Sequence, residues 1–176
     1  LMQTLTNYGF TEQEPSNRQY RLGSAVVQLS RSLLTKMPLR ETAKPFLLKL
    51  VQETGECAHL GIHSQGKVLY IDQVESPQTL RVNTEVGFTA PLHCTALGKV
   101  LLAWGVATLP KELESYTPHT LVDPKLIQFD LEKTRNLGYA TDDEEFTNGV
   151  RCVAAPVIDF RGKVIGALGI SGPASR

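Results

Sequence analysis

The stretch "CVAAPVIDFRGKVIGALGIS" (152–171) decides the fold. Two apolar runs rich in β-branched residues, "CVAAPVIDF" and "KVIGALGIS", flank Arg161–Gly162, the pattern of a β-hairpin closed by a tight turn. With the turn symmetric about Arg161–Gly162, paired residues carry numbers that sum to 323. Cys152 then stands opposite Ser171 and Ala154 opposite Gly169, all on one face of the sheet. A slip of one residue would send Cys152 and Ser171 to opposite faces. Small side chains on that face leave volume unfilled, and a thiol beside a hydroxyl suits a compact polar ligand.

Upstream, "CAHLGIHSQGKVLYIDQVES" (57–76) reads as two strands joined by a Gln65–Gly66 turn, with "LRVNTEV" (80–86) as a third strand. "TALGKVLLAW" (95–104) predicts a helix capped by Thr95, with Leu97, Val100, Leu101 and Trp104 on its apolar side. Residues 124–137 predict another, ended by Gly138. A helix is expected over Pro45–Glu53, closed by Gly55. Pro45 would sit in its first turn, with Phe46, Leu47, Leu50 and Val51 facing a core. Ser24 is placed to cap a connecting helix with a Val26, Leu29 and Leu33 stripe, running toward Pro38. At the start, Leu1, Leu5 and Tyr8 share a helical face closed by Gly9. "FTEQEPSNRQYRLG" (10–23) then reads as two short strands around Pro15–Ser16–Asn17. A helix followed by a polar-tipped hairpin is the order found at the end of a winged helix-turn-helix. The whole predicts an α+β fold with a mostly antiparallel sheet.

The totals narrow the class. The chain has 176 residues, 41% hydrophobic and 20% charged, with a formal net charge of +0. That composition suits a folded globular protein, and the neutral total points to neither nucleic acid nor membrane by itself. No run is long enough to span a bilayer and no secretory leader is evident. Three widely spaced cysteines argue against a disulfide framework and fit a reducing, cytoplasmic setting.

Individual motifs are weighed against their ordinary readings. The run Asp142–Glu145 is four carboxylates long, but neighbours on a strand point to opposite faces and do not converge on one ion. The run reads instead as a solvated turn, with Asp142 inward and the other three mostly solvated. Cys152 lacks the partner of a catalytic thiol: no histidine follows His119, and nearby acids would raise its pKa. Cys57, His59 and His63, with His93 and Cys94 elsewhere, offer zinc ligands without the paired spacing of a structural site. "ALGKV" (96–100) lacks the upstream glycine and the following Ser/Thr of a phosphate loop. The first N–H groups of that helix are nonetheless placed to receive an anion. Arg18, with Asn17, sits at the hairpin tip where a winged helix meets phosphate or the minor groove.

Six segments in order carry a family resemblance: "YRLG" (20–23), "TGECAHLGI" (54–62), "APLHCTALGKVLLA" (90–103), "GYATDDEEF" (138–146), "GVRCVAAPVID" (149–159) and "LGISGP" (168–173). Together they resemble the IclR family of bacterial transcriptional regulators. The resemblance implies a GAF-like effector-binding domain over 38–176, a linker helix over 24–37, and the C-terminal part of a winged helix-turn-helix over 1–23. Residues 1–9 would be the end of the recognition helix, with the earlier DNA-binding helices outside this chain. The partners implied are operator DNA, a small-molecule effector (an organic acid or related metabolite) and further copies in a homodimer or homotetramer. No cofactor, metal or catalytic residue is implied. The effector site carried over comprises Asp142, Cys152, Gly169 and Ser171 at the polar end, with Leu80, Val82, Ala90, Ala96 and Leu97 as apolar walls. Members that bind small oxo-acids carry a serine where this chain has Gly169, so a bulkier effector is expected. The alternative is a thiol- or metal-dependent enzyme on the same scaffold.

Overall fold

The structure is a computed structural model that describes residues 1–176. The chain divides into two compact units, Leu1–Thr42 and Ala43–Arg176.

In the first unit, helix α1 (Met2–Asn7) leads into strands β1 (Thr11–Gln13) and β2 (Tyr20–Leu22), paired antiparallel with Thr11 opposite Leu22. At the tip, Asn17 folds its side-chain oxygen onto the N–H of Gln19, 2.9 Å away, and Arg18 is exposed with φ 56°. Helix α2 (Ala25–Thr35) follows, with Ser24 at its N-cap position but making no capping hydrogen bond. Leu29 and Leu33 are exposed on it.

Helix α3 (Pro38–Thr54) is longer than the sequence pattern predicts: it starts at Pro38 and carries Pro45 in its interior. Proline there removes the bond to the carbonyl of Glu41. Glu41 and Pro45 are both exposed, so water can take that carbonyl. The helix therefore begins before Pro45, which does not mark its first turn. Leu47 is fully buried and Leu50 and Val51 half-buried, but Phe46 points to solvent.

The second unit is built on a six-stranded antiparallel sheet in the order β5-β4-β3-β8-β7-β6. Its strands are β3 (Cys57–Ser64), β4 (Lys67–Val74), β5 (Thr89–Ala90), β6 (Ala140–Asp143), β7 (Val150–Ile158) and β8 (Val164–Pro173). The β7–β8 pairing has the expected register: Cys152 lies opposite Ser171 and Ala154 opposite Gly169, with a shift only after Val157. Two sequence expectations fail at the edges. Residues 80–86 form no strand. Two of their carbonyls are taken by side chains instead: Leu80 O accepts from Arg176 and Val82 O from the Cys57 thiol. Strand β5 pairs with the edge of β4 in their place. The acidic stretch, expected as a turn, begins as edge strand β6, which pairs with β7.

Helix α4 (Ala96–Ala103) packs on β6, β7 and β8, with α5 (Pro124–Leu137) beside it. Thr95 caps α4 by accepting from the Gly98 N–H at 3.2 Å, and Asp123 caps α5. All eight residues of α4 are buried, so the helix is enclosed on every side rather than on one. Gly98 fits because a Cβ there would lie 2.3 Å from Leu92 O and 2.5 Å from Leu92 Cα, both backbone atoms. Gly98→Ala is expected to destabilise the second unit by about 1–3 kcal/mol through this overpacking. Urea denaturation would show it as a lower midpoint with an unchanged m-value.

Candidate functional site

Alternation along four adjacent strands lays out two rows of side chains on one face. The first row is polar: Asp142 on β6 pairs with Cys152 on β7, Cys152 with Ser171 on β8, and Ser171 with Cys57 on β3. The second is small except at its end: Ala140, Ala154, Gly169 and His59. Above them lies a cavity of about 760 Å³. The start of α4 (Thr95, Ala96, Leu97), the segment Val82–Phe88, and Tyr70 and Phe146 complete its wall.

Of the residues carried over from sequence, Asp142, Cys152, Gly169, Ser171, Val82, Ala96 and Leu97 border this cavity. Leu80 does not; it is 64% exposed, because the segment expected to hold it as a strand is irregular. Ala90 is fully buried in the hydrophobic cluster, on the two-residue strand paired with Val68. Gly169 does not open the volume expected of it. A Cβ there would lie 2.4 Å from Val153 O and 2.8 Å from Ala154 Cβ, so close approach of β7 demands the glycine.

The polar row is held without a net positive charge. Asp142 is buried and accepts the Glu145 N–H at 2.8 Å. Burial pushes its carboxyl up to about 6, with the Glu145 charge adding to the effect against Lys99. The Cys152 thiol hydrogen-bonds Asp142, and burial followed by that carboxylate's charge raises it well above the usual thiol range. A thiol so raised stays protonated, the reverse of an activated nucleophile. Ser171 Oγ lies 2.6 Å from His59 Nε2, and burial pushes the imidazole down to about 4, so it is neutral.

Behind the row lies a feature the sequence reading missed. Lys99 of α4 is 1% exposed, and its ammonium contacts Glu145 at 2.5 Å, Asp130 of α5 at 2.7 Å and Thr141 O at 3.0 Å. Burial works against the charge, but the two carboxylates outweigh it and hold the lysine above its ordinary value. Glu145, expected in solvent, is therefore buried, while Asp143 is exposed as expected. Lys99 grips residues on both sides of Asp142 and so fixes it relative to α4.

The histidines and cysteines considered for zinc are engaged separately. Cys57 donates to Val82 O, His59 bonds Ser171, and His63 accepts the Gly66 N–H within its hairpin turn. No group of three or more His, Cys, Asp or Glu side chains converges as metal ligands require. No helix is long and apolar enough to cross a membrane.

The family model described as bacterial transcriptional regulator IclR C-terminal matches residues 31–176. The chain belongs to the IclR family. It is 39% identical to the HTH-type transcriptional regulator XynR of Escherichia coli K12, over all of this chain and 72% of that protein. It is 36% identical to the glycerol operon regulatory protein of Streptomyces coelicolor, again over its whole length and 71% of the relative. A solved IclR transcriptional regulator from Silicibacter sp. TM1040 superposes with a TM-score of 0.85 at 28% identity, covering 99% of this chain and 71% of that one. The six-stranded antiparallel sheet flanked by helices is thus the IclR-type, GAF-like effector domain. This IclR-family chain is part of a ligand-responsive, DNA-binding transcriptional regulator.

Two outcomes follow for the regulator's stability. Lys99→Met leaves the buried Glu145 and the half-buried Asp130 without their cation and is expected to cost about 3–5 kcal/mol, with Glu145→Gln in the same chain recovering part of it. Chemical denaturation of single and double variants measures the coupling. For Asp142 the folded carboxyl titrates near 6 against 3.8 for the unconstrained group. Its contribution is therefore fully present below about 3.8 and lost as pH rises through about 6. Asp142→Asn is expected to flatten that loss and to gain up to about 3 kcal/mol on wild type above pH 7. Parallel denaturation series from pH 4 to pH 7.5 would display the divergence.

Proposed function

We propose that the cavity over the two side-chain rows is the effector site of this regulator, and that occupancy of it alters operator binding. The observation that carries this reading is the convergence of Asp142, Cys152 and Ser171 in one cross-strand row on the cavity floor. The small side chain of Ala154 keeps the neighbouring floor low, and Val82, Ala96 and Leu97 supply apolar wall. The first-turn N–H groups of Ala96 and Leu97 have no acceptor in the protein. They are suited to a carboxylate, which a helix start favours. An organic acid or related metabolite is therefore the effector class. The solved IclR regulators share the fold but do not by themselves name the ligand.

In the same proposal, residues 1–23 are the closing part of the winged helix-turn-helix and 24–37 the linker helix. Asn17 and Arg18 at the exposed hairpin tip then approach DNA phosphate or the minor groove. The protein works as a homodimer or homotetramer in the cytoplasm, and the effector acts by binding one arrangement of the DNA-binding domains better than another. A ligand without that preference would shift nothing.

Titration of small carboxylates against thermal stability tests the site. Wild type is expected to gain several degrees with a true effector at about 100 times its Kd, since mass action there contributes about 2.7 kcal/mol. Asp142→Ala and Cys152→Ala should lose that gain. If both variants respond as wild type does, the effector sits elsewhere.

A further inference from the structure

The cavity has an acid on its floor and no cation to balance a second one. Strand β6 alternates, with Ala140 and Asp142 buried and Thr141 and Asp143 exposed, and Asp142 borders the cavity. Glu85 borders it from the irregular segment, and no lysine or arginine does. Lys99, the cation that acts on Asp142, is 1% exposed and committed to Glu145 and Asp130. With Asp142 included, three carboxylates already share one ammonium.

The other titratable groups around Asp142 are neutral. Cys152 on β7, Tyr70 on β4 and Cys94 just before α4 are each raised, first by burial, with the Asp142 charge adding to it. His59 on β3 is held by burial at about 4. The first turn of α4 opens on the same cavity as Asp142. One turn beyond Ala96, the Lys99 ammonium donates to Thr141 O at 3.0 Å, beside Asp142, so the helix start and the acid are tied together. An effector carboxylate received at the α4 start therefore shares a largely enclosed space with the Asp142 carboxylate. Like charges so placed push one of the two carboxyls upward until it is protonated. Asp142, already at about 6 through burial, is far closer to taking that proton at neutral pH than His59 is.

We propose that the effector's carboxylate binds together with one proton, taken up from solvent by Asp142, so that effector affinity falls as pH rises. The inference rests on the cavity being the effector site. The sign follows from linkage. Free Asp142 titrates near 6, and in the occupied site it titrates higher. Between those two values each pH unit upward weakens binding by up to about tenfold, and below the lower one the affinity is level.

The test titrates the protein by calorimetry with straight-chain carboxylic and 2-hydroxy acids of two to six carbons. For an acid that binds, heats at pH 7 should differ between phosphate and Tris buffers by the enthalpy of moving about half a proton or more from buffer to protein. Its affinity should fall by about fivefold or more between pH 6 and pH 8. The infrared difference spectrum should gain a protonated-carboxyl band on binding, which protonation of His59 would not produce. A folded Asp142→Asn protein should bind the same acid with equal heats in both buffers and equal affinity at the two pH values. Equal heats in wild type overturn the proposal and leave the effector site standing, whether or not the variant folds. Uptake undiminished in a folded Asp142→Asn protein gives the proton to another group and overturns it as well. If no acid binds, the effector site itself is misassigned and the proton-coupled reading falls with it.

Discussion

Strand β8 is hydrogen-bonded along both edges, to β7 on one side and to β3 on the other, and the cavity floor takes its form from that double register. Displacing β8 by one residue against either neighbour would turn Ser171 away from Cys152 or from His59. The backbone thus does the aligning, and the side chains on the floor are free to be small. Gly169 illustrates the constraint. Its lack of a side chain is set by the approach of β7, whose Val153 O and Ala154 Cβ a Cβ would strike.

A second constraint ties the floor to the helices. Lys99 is buried in an otherwise apolar helix and is neutralised from two directions, by Asp130 of α5 and by Glu145 beyond β6. An isolated buried ammonium would lose its proton before tolerating such a site. Here the carboxylates keep it charged, and the lysine can thereby hold Thr141 and Glu145 on either side of Asp142. The cation is fully used in this way, and none remains to face a ligand. The floor is accordingly neutral to acidic, and recognition on it rests on directed hydrogen bonds and on the helix start.

What could be read from the sequence was local in origin. The β7–β8 register followed from one short turn and alternation, and the β3–β4 hairpin and helices α4 and α5 announced themselves through turn and cap residues. Contacts made across long stretches of chain left no such trace. His59 and Ser171 are 112 residues apart, and nothing near His59 says that β3 lies beside β8. Lys99 looks, in sequence, like a side chain reaching for water; its burial depends on acids delivered by a later helix and a later turn. Alternation misled at 80–86, because a strand needs a neighbour as well as a pattern, and side chains took the carbonyls. Pro45 misled in the opposite direction, since an exposed proline can be carried inside a helix whose lost bond faces water.

That irregular segment has a consequence for how the cavity exchanges its contents. No backbone N–H from Thr79 to Val86 finds a protein acceptor, whereas the floor is laddered on every strand. Displacing the segment breaks few bonds, so its opening free energy lies at the low end of what the domain offers. A molecule need not wait for the sheet or α4 to loosen. The threshold for entry and departure is set by a stretch of wall that was never woven into the fabric, and residence time can be tuned there without disturbing the floor.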